Sequence, residues 1–153
     1  MKTFIQRFFE LLLMMVLITS CSNDGIYNNI VQLKYGTSFN NCVGYCKRDV
    51  TIKSTNATYT CSGWIPSVLT LTKNDTISSS TVDSICSFNT NTFFNLAETI
   101  GCPDCADGGA EWLEIKLSNG KTHKVTFEYY HEPTIIKDQI MTLRKILNKN
   151  LCN

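Results

Sequence analysis

Eight cysteines in a chain of 153 residues, at positions 21, 42, 46, 61, 86, 102, 105 and 152, constrain this sequence more than any other feature. Such a density points to disulfides, which persist only in oxidising compartments. The first twenty residues agree with that. Lys2 and Arg7 make a cationic start, residues 11–18 form an apolar run, and Thr19-Ser20 leads into Cys21. A cationic start, a short apolar stretch and small residues before a cut is the order of a secretory signal. Glu10 and Ser20 bound the run. It falls short of the roughly 20 apolar residues that a membrane-spanning helix needs, so the segment is expected to be removed rather than retained.

Ile18-Thr19-Ser20-Cys21 resembles the lipobox of bacterial lipoproteins, an aliphatic residue followed by two small residues and a cysteine. The resemblance implies cleavage before Cys21, a diacylglycerol on its thiol and acylation of the new amino terminus. It makes Cys21 the lipid-attachment residue and a membrane the first partner. It also places the chain in the bacterial cell envelope, facing the periplasm or the cell exterior. Each buried methylene of such an anchor contributes roughly 0.8 kcal/mol. Ser22-Asn23-Asp24-Gly25 reads as a short polar tether, so the organisation is signal 1–20, anchor and tether 21–25, and one domain over 26–153. With residues 1–20 gone, 133 residues remain, enough for a single domain with its own core.

The mature chain carries 12 basic and 12 acidic side chains. That balance gives no electrostatic footprint for nucleic acid and no polybasic membrane patch. With Cys21 lipidated, seven cysteines are left, an odd number. Cys86, on the apolar side of an expected helix, is the candidate for the unpaired thiol. Cys42, Cys46, Cys61, Cys102, Cys105 and Cys152 are the candidates for disulfides, with their connectivity open.

Along the chain, residues 30–35 favour a strand, followed by a polar loop over 36–41. Val50 and Ile52 alternate with polar neighbours, a turn falls at 54–57, and residues 58–61 return. Residues 68–72 suggest a fourth strand. Ser80-Thr81-Val82-Asp83 reads as a capping box that opens a helix with Val82, Ile85 and Cys86 on one side. Asn89 to Thr92 breaks it, and a second helix is expected over 93–100, ending at Gly101.

Residues 110–130 make the clearest hairpin. Leu113, Ile115 and Leu117 alternate with charged residues, as do Val125, Phe127 and Tyr129. A two-residue Asn119-Gly120 turn would put the two apolar rows on opposite faces. A three-residue loop, Ser118-Asn119-Gly120, pairs Leu113 with Val125 and Ile115 with His123, so a type I turn with a bulge and a left-handed Gly120 is expected. The last segment starts at Glu132-Pro133-Thr134, and Ile136, Ile140, Leu143 and Leu147 form one helical stripe to pack on the sheet. The fold class is therefore α+β, a small antiparallel sheet with helices packed on one face.

Cys42-Val43-Gly44-Tyr45-Cys46, with Val50, Ile52 and Cys61-Ser62-Gly63 after it, resembles an uncharacterised bacterial domain family that opens with Cys-Phe-Gly-x-Cys-Pro. Val43 stands in place of the Phe and Lys47 in place of the Pro. The family implies a strand-helix order and no activity. The order of strands, central helix, hairpin and final helix is also similar to emfourin-type metalloprotease inhibitors, an analogy of fold alone.

The residues with chemistry are weighed as follows. Cys102-Pro103-Asp104-Cys105 has the spacing of a redox pair, but it follows an expected helix end and precedes a Gly-rich loop, where structural bonding is the better reading. Together with Cys42 and Cys46 these cysteines have the number of thiolates that zinc takes, against which oxidation competes outside the cytoplasm. Asp104, Asp107 and Glu111 lack the spacing of a calcium loop and read as a solvated acidic loop. His123 reads as a packed histidine and His131 as exposed. Trp64 and Trp112 read as core residues or binding anchors, with core the better reading. Asp75-Thr76-Ile77 and Asp83-Ser84-Ile85 resemble short O-glycosylation sites of exported Bacteroidetes proteins, the second expected to be buried. No catalytic residue, metal or cofactor is assigned. The expected function is that of a non-enzymatic envelope binding or accessory domain. The alternatives are a protease-inhibitor-like module or a thiol-redox protein using Cys102 and Cys105.

Overall fold

The structure, a computed structural model, describes residues 29–150. The elements in order are β1 (Ile30–Ser38), β2 (Lys47–Lys53), β3 (Asn56–Ser62), β4 (Leu71–Thr76), α1 (Ser79–Ile85), α2 (Thr90–Phe94), β5 (Thr99–Ile100), β6 (Ala110–Leu117), β7 (Thr122–Glu128) and α3 (Lys137–Lys149), with 3-10 turns at Cys105–Asp107 and Thr134–Ile136. The chain is α+β and dominated by its sheet. Among the described residues the sheet has seven strands in the order β4-β3-β2-β1-β6-β7-β5.

The sheet is mixed rather than purely antiparallel. Thr99 and Ile100, expected to close a helix, instead run parallel to Thr126 and Phe127 of β7. The reason lies just upstream. Asn89 caps a helix rather than breaking one, its Oδ1 accepting the Thr92 N–H at 3.0 Å, as a short polar side chain at a helix start does. The helix it starts ends at Phe94, with Asn95 as its C-cap, which leaves 99–100 extended. The cap of α1 is also earlier than expected, with Ser78 Oγ accepting from Thr81 N at 3.2 Å. Two strand boundaries differ as well. β1 continues to Ser38, through residues expected to be loop, because Gly36, Thr37 and Ser38 pair with both β2 and β6. β4 starts at Leu71, and all six of its residues are exposed, so no alternation marks it.

The β6–β7 hairpin has the expected register, Leu113 opposite Val125 and Ile115 opposite His123. Gly120 N–H donates to the Leu117 carbonyl at 2.9 Å, and Gly120 has φ +85, the left-handed position that a glycine fills without a Cβ clash.

Strand parity sends Leu33, Tyr35, Val50, Ile52, Ala57, Tyr59, Leu113, Ile115, Val125 and Phe127 into one cluster with Ile85, Phe88 and Phe93. Ile136, Ile140, Leu143 and Leu147 of the last segment join it, each at most 4% exposed. Side chains of this size contribute about 1.5–3 kcal/mol each on full burial, so this stripe is the main fastening of α3. Glu111 shares the inward parity of Leu113 and is fully buried, which overturns its reading as part of a solvated acidic loop. Arg144 of α3 meets it there and also bonds Glu132 at 2.7 Å, so the inward carboxylate has its counter-charge. The Tyr35 hydroxyl is buried nearby. Burial first, and then the Glu111 charge, push its pKa well above the ordinary tyrosine value.

Candidate functional site

Cys21 and Cys152 lie outside the described residues. Cys42 and Cys46 are joined by a disulfide, with Cα atoms 5.5 Å apart. The ring it closes turns through Gly44 at φ +89 and leaves Val43 at its tip 99% exposed. Cys102 and Cys105 form a second disulfide, and Cys61 is disulfide-bonded as well. The four thiols weighed as zinc ligands are thus consumed in two separate bonds. Among the described residues no group of His, Cys, Asp or Glu is arranged for a metal. Cys86 is a free thiol. Burial, and after it the Asp83 charge, push it up to about 11, which keeps it protonated and unreactive at neutral pH.

The Cys102–Cys105 loop follows strand β5, not a helix end. Asp104, Ala106 and Asp107 all adopt positive φ, at 64, 51 and 60. Two contacts from the β1–β2 loop hold them, Asn40 N to Asp104 Oδ1 at 3.3 Å and Asn41 Nδ2 to Asp107 Oδ2 at 3.2 Å. A groove of about 170 Å³ runs beside the disulfide, lined in part by Glu128, Tyr129 and His131. The Cys102 N–H donates to Glu128 Oε1 at 2.7 Å.

The histidines stand apart. His123 Nε2 lies 3.0 Å from the Leu96 carbonyl, with its ring 5.4 Å from Phe93 and 5.5 Å from Phe94. His131 is exposed, its Nδ1 3.1 Å from the Tyr129 carbonyl and 3.8 Å from Glu128. Of the two glycosylation-like triplets, Thr76 and Ser84 are both exposed. The expected burial of the second applies to Ile85 alone.

The sheet face opposite the core carries a different kind of surface. The register lays out three rows across the strands. Thr60, Asp49, Gly36, Trp112 and Thr126 form the middle row. Thr58, Thr51, Lys34, Glu114 and Lys124 lie on one side of it, and Ser62, Lys47, Ser38, Ala110 and Glu128 on the other. Trp112 is therefore no core residue. Its six-membered ring is seated against Gly36, where a Cβ would strike it and come within 2.9 Å of the Arg48 carbonyl oxygen. Gly36 is what lets a large ring lie in this row.

Lysines surround that indole. The Lys124 and Lys34 ammonium groups stand 4.5 Å and 5.3 Å from the Trp112 ring centroid, contacts in which the ring quadrupole attracts the cation. Trp64, the other tryptophan expected in the core, is 43% exposed. Its Nε1–H donates to the Phe39 carbonyl at 2.6 Å, and Lys47 lies 3.7 Å from its ring centroid. A groove of about 340 Å³ crosses the three rows, with Lys34, Lys47, Asp49, Ser62, Trp112 and Lys124 in its lining. Asp49 bonds Lys34 at 3.6 Å. Burial pushes its carboxyl up, with the Lys34 charge opposing.

The sequence reading missed this face. Its signal was present in the alternation that makes Leu113 and Ile115 inward, because the same alternation sends Trp112 outward. No protein-family model matches the chain, and no curated protein matches it.

Proposed function

We propose that this chain is an exported, lipid-anchored protein of the bacterial envelope that binds a partner molecule without transforming it. In this reading the helices pack on one face of the sheet and the other face binds. The anchor rests on Ile18-Thr19-Ser20-Cys21 behind a cationic, apolar leader. The disulfides Cys42–Cys46 and Cys102–Cys105 are compatible with an oxidising compartment. Cys21 precedes Ile30 by nine residues, a reach of at most about 30 Å, so the sheet would stand close above the membrane.

The observation that carries the binding reading is the indole of Trp112, held against Gly36 with two lysines over it on the sheet face opposite the core. Half-exposed aromatic side chains among a few polar groups are what small-ligand sites are built from. His123 and the free thiol serve packing. His123 is wedged between Phe93 and Phe94, and Cys86 is pushed up to about 11.

Membrane fractionation of the Cys21→Ser variant tests the anchor. The expected result is loss of the protein from membranes and accumulation of the unprocessed chain. Membrane retention with unchanged processing would overturn it.

One observation favours a second reading, a protease-inhibitor-like module. Val43 projects from a disulfide-closed ring and is 99% exposed, the presentation an inhibitory loop requires. A panel of proteases assayed with the wild-type protein and with Val43→Asp decides it, and absence of any inhibition removes this reading.

A further inference from the structure

We infer that the groove across the open sheet face binds a short acidic oligosaccharide, a chain of pyranose rings bearing carboxylates. This rests on the reading of that face as the binding surface and adds the chemistry of the ligand.

The ring comes first. The Trp112 indole offers an electron-rich face to the polarised C–H groups of a sugar ring. Its position is fixed from below by Gly36, which leaves no room for it to sink. A ring seated on the indole displaces the Lys124 and Lys34 ammonium groups, which stand over it at 4.5 Å and 5.3 Å from its centroid, and leaves them at the rim of the bound ring. A carboxylate on that ring would form charge-assisted hydrogen bonds with one or the other.

Hydroxyl recognition is supplied by the rest of the rows. Thr60, Thr126, Ser38 and Ser62 both donate and accept, and Asp49 accepts. The groove is lined from Ser62 of β3 to Thr126 of β7. Four inter-strand intervals of about 4.8 Å make roughly 19 Å, which is longer than a single sugar ring. At the β2–β3 end Lys47 stands 3.7 Å from the Trp64 centroid, a second pairing of cation and indole.

The charges decide against a nucleic acid. Asp49 lies in the Trp112 row, and Glu114 lies between Lys34 and Lys124 in the next. A strand with a phosphate at every unit meets both carboxylates as repulsion, and its affinity depends on a run of cations. Each ring of an acidic glycan carries free hydroxyls beside its carboxylate, and these donate to those same carboxylates, which the phosphodiester groups of a nucleic acid cannot do. An extended acidic peptide would use backbone groups at a sheet edge, whereas this groove crosses the middle of the sheet.

The test is calorimetry on the full-length protein in detergent with trigalacturonic acid, against maltotriose, a dT10 oligonucleotide and a Glu-rich peptide. Saturable binding of trigalacturonic acid, at least tenfold tighter than maltotriose and weakened by salt, is the expected result. Trp112→Ala and the double variant Lys34→Gln/Lys124→Gln should each weaken it at least tenfold. If circular dichroism shows that Trp112→Ala is misfolded, Lys124→Gln carries the test, since this exposed side chain should lose several-fold in affinity while leaving the fold intact.

Equal binding of maltotriose, or no binding of either sugar, overturns the inference. So does binding of dT10 or the peptide alone. If that binding vanishes in Trp112→Ala, the face survives as the binding surface and only the ligand class falls. Unchanged sugar binding by a folded Trp112→Ala removes the face itself. Membrane attachment through Cys21 is read separately and stands or falls on its own.

Discussion

Arg144 grips Glu111 through two parallel bonds, Nε to Oε1 at 2.9 Å and Nη2 to Oε2 at 2.7 Å, and so ties α3 to the inward side of β6. The Tyr130 ring covers the guanidinium at 4.1 Å. Glu111 is fully buried, so the pair is a charge held inside the protein by its partner. Truncating one side of such a pair typically costs about 3–5 kcal/mol, whereas replacing both sides with apolar groups is often neutral or stabilising. Arg144→Met should therefore lower unfolding stability by about 3–5 kcal/mol in urea, and Glu111→Leu/Glu132→Gln/Arg144→Met, which leaves neither of the two carboxylates that Arg144 bonds unpaired, should recover most of it. A triple variant as unstable as the single one would show that these three residues do more than cancel their own charges.

Acid sensitivity should trace to Glu132. Burial raises its pKa, but the Arg144 hydrogen bond, its own backbone N–H and the charges of Arg144 and Lys137 outweigh that and hold the carboxyl below the ordinary 4.5. A lowered native pKa means that the contribution is fully present above the unfolded value and is lost as pH falls through the folded one. Thermal unfolding of Glu132→Gln should show a shallower fall in Tm below about pH 4.5 than wild type. Parallel curves would assign the acid transition to other carboxylates.

The thiol of Cys86 should resist alkylation. At pH 8 a group pushed up to about 11 holds almost no thiolate. Iodoacetamide should leave Cys86 unmodified in the native protein and label it fully in guanidinium, as read by peptide mass. Rapid native labelling at pH 8 would contradict the burial described for it.

Gly36→Ala should disturb the sheet face and not the core. Its new methyl group meets the Trp112 ring on one side and the Arg48 carbonyl on the other. Overpacking of this kind costs about 1–3 kcal/mol, and the near-ultraviolet dichroism of tryptophan should change with it. A variant with wild-type stability and spectrum would mean that the indole moves aside freely.

The parts of this fold that were legible are those where one face is apolar and the period is unbroken. Residues 110–130 gave both the register and the left-handed Gly120, because only one loop length keeps Leu113 and Val125 on the same side. Ile136, Ile140, Leu143 and Leu147 gave α3 for the same reason. Legibility failed where local pattern carries no face. β4 is exposed along its length, so alternation could not locate it. The two residues of β5 owe their extended state to a distant parallel partner, β7. Glu111 looked solvated because its counter-charge stands 33 residues away, and no spacing rule joins them. Trp112 was mistaken for core because an indole's size suggests burial, while its parity, one step from Leu113, sends it to the opposite face.

The arrangement of strands also fixes an order of events. Strand β1 lies at the centre of the sheet, with β2 on one flank and β6 on the other. Leu33 faces Ile52 across one boundary and Ile115 across the other. The first pairing is local, and the second closes a loop of about eighty residues, the kind of contact that sets folding speed. The disulfides Cys42–Cys46 and Cys102–Cys105 bridge only four and three positions, so neither shortens that search. A chain made from its amino terminus would thus build β1 to β4 early and keep one side of β1 unsatisfied until β6 arrived. During that interval the exposed flank of β1 is open to capture by another chain, so the topology itself carries an aggregation-prone stage.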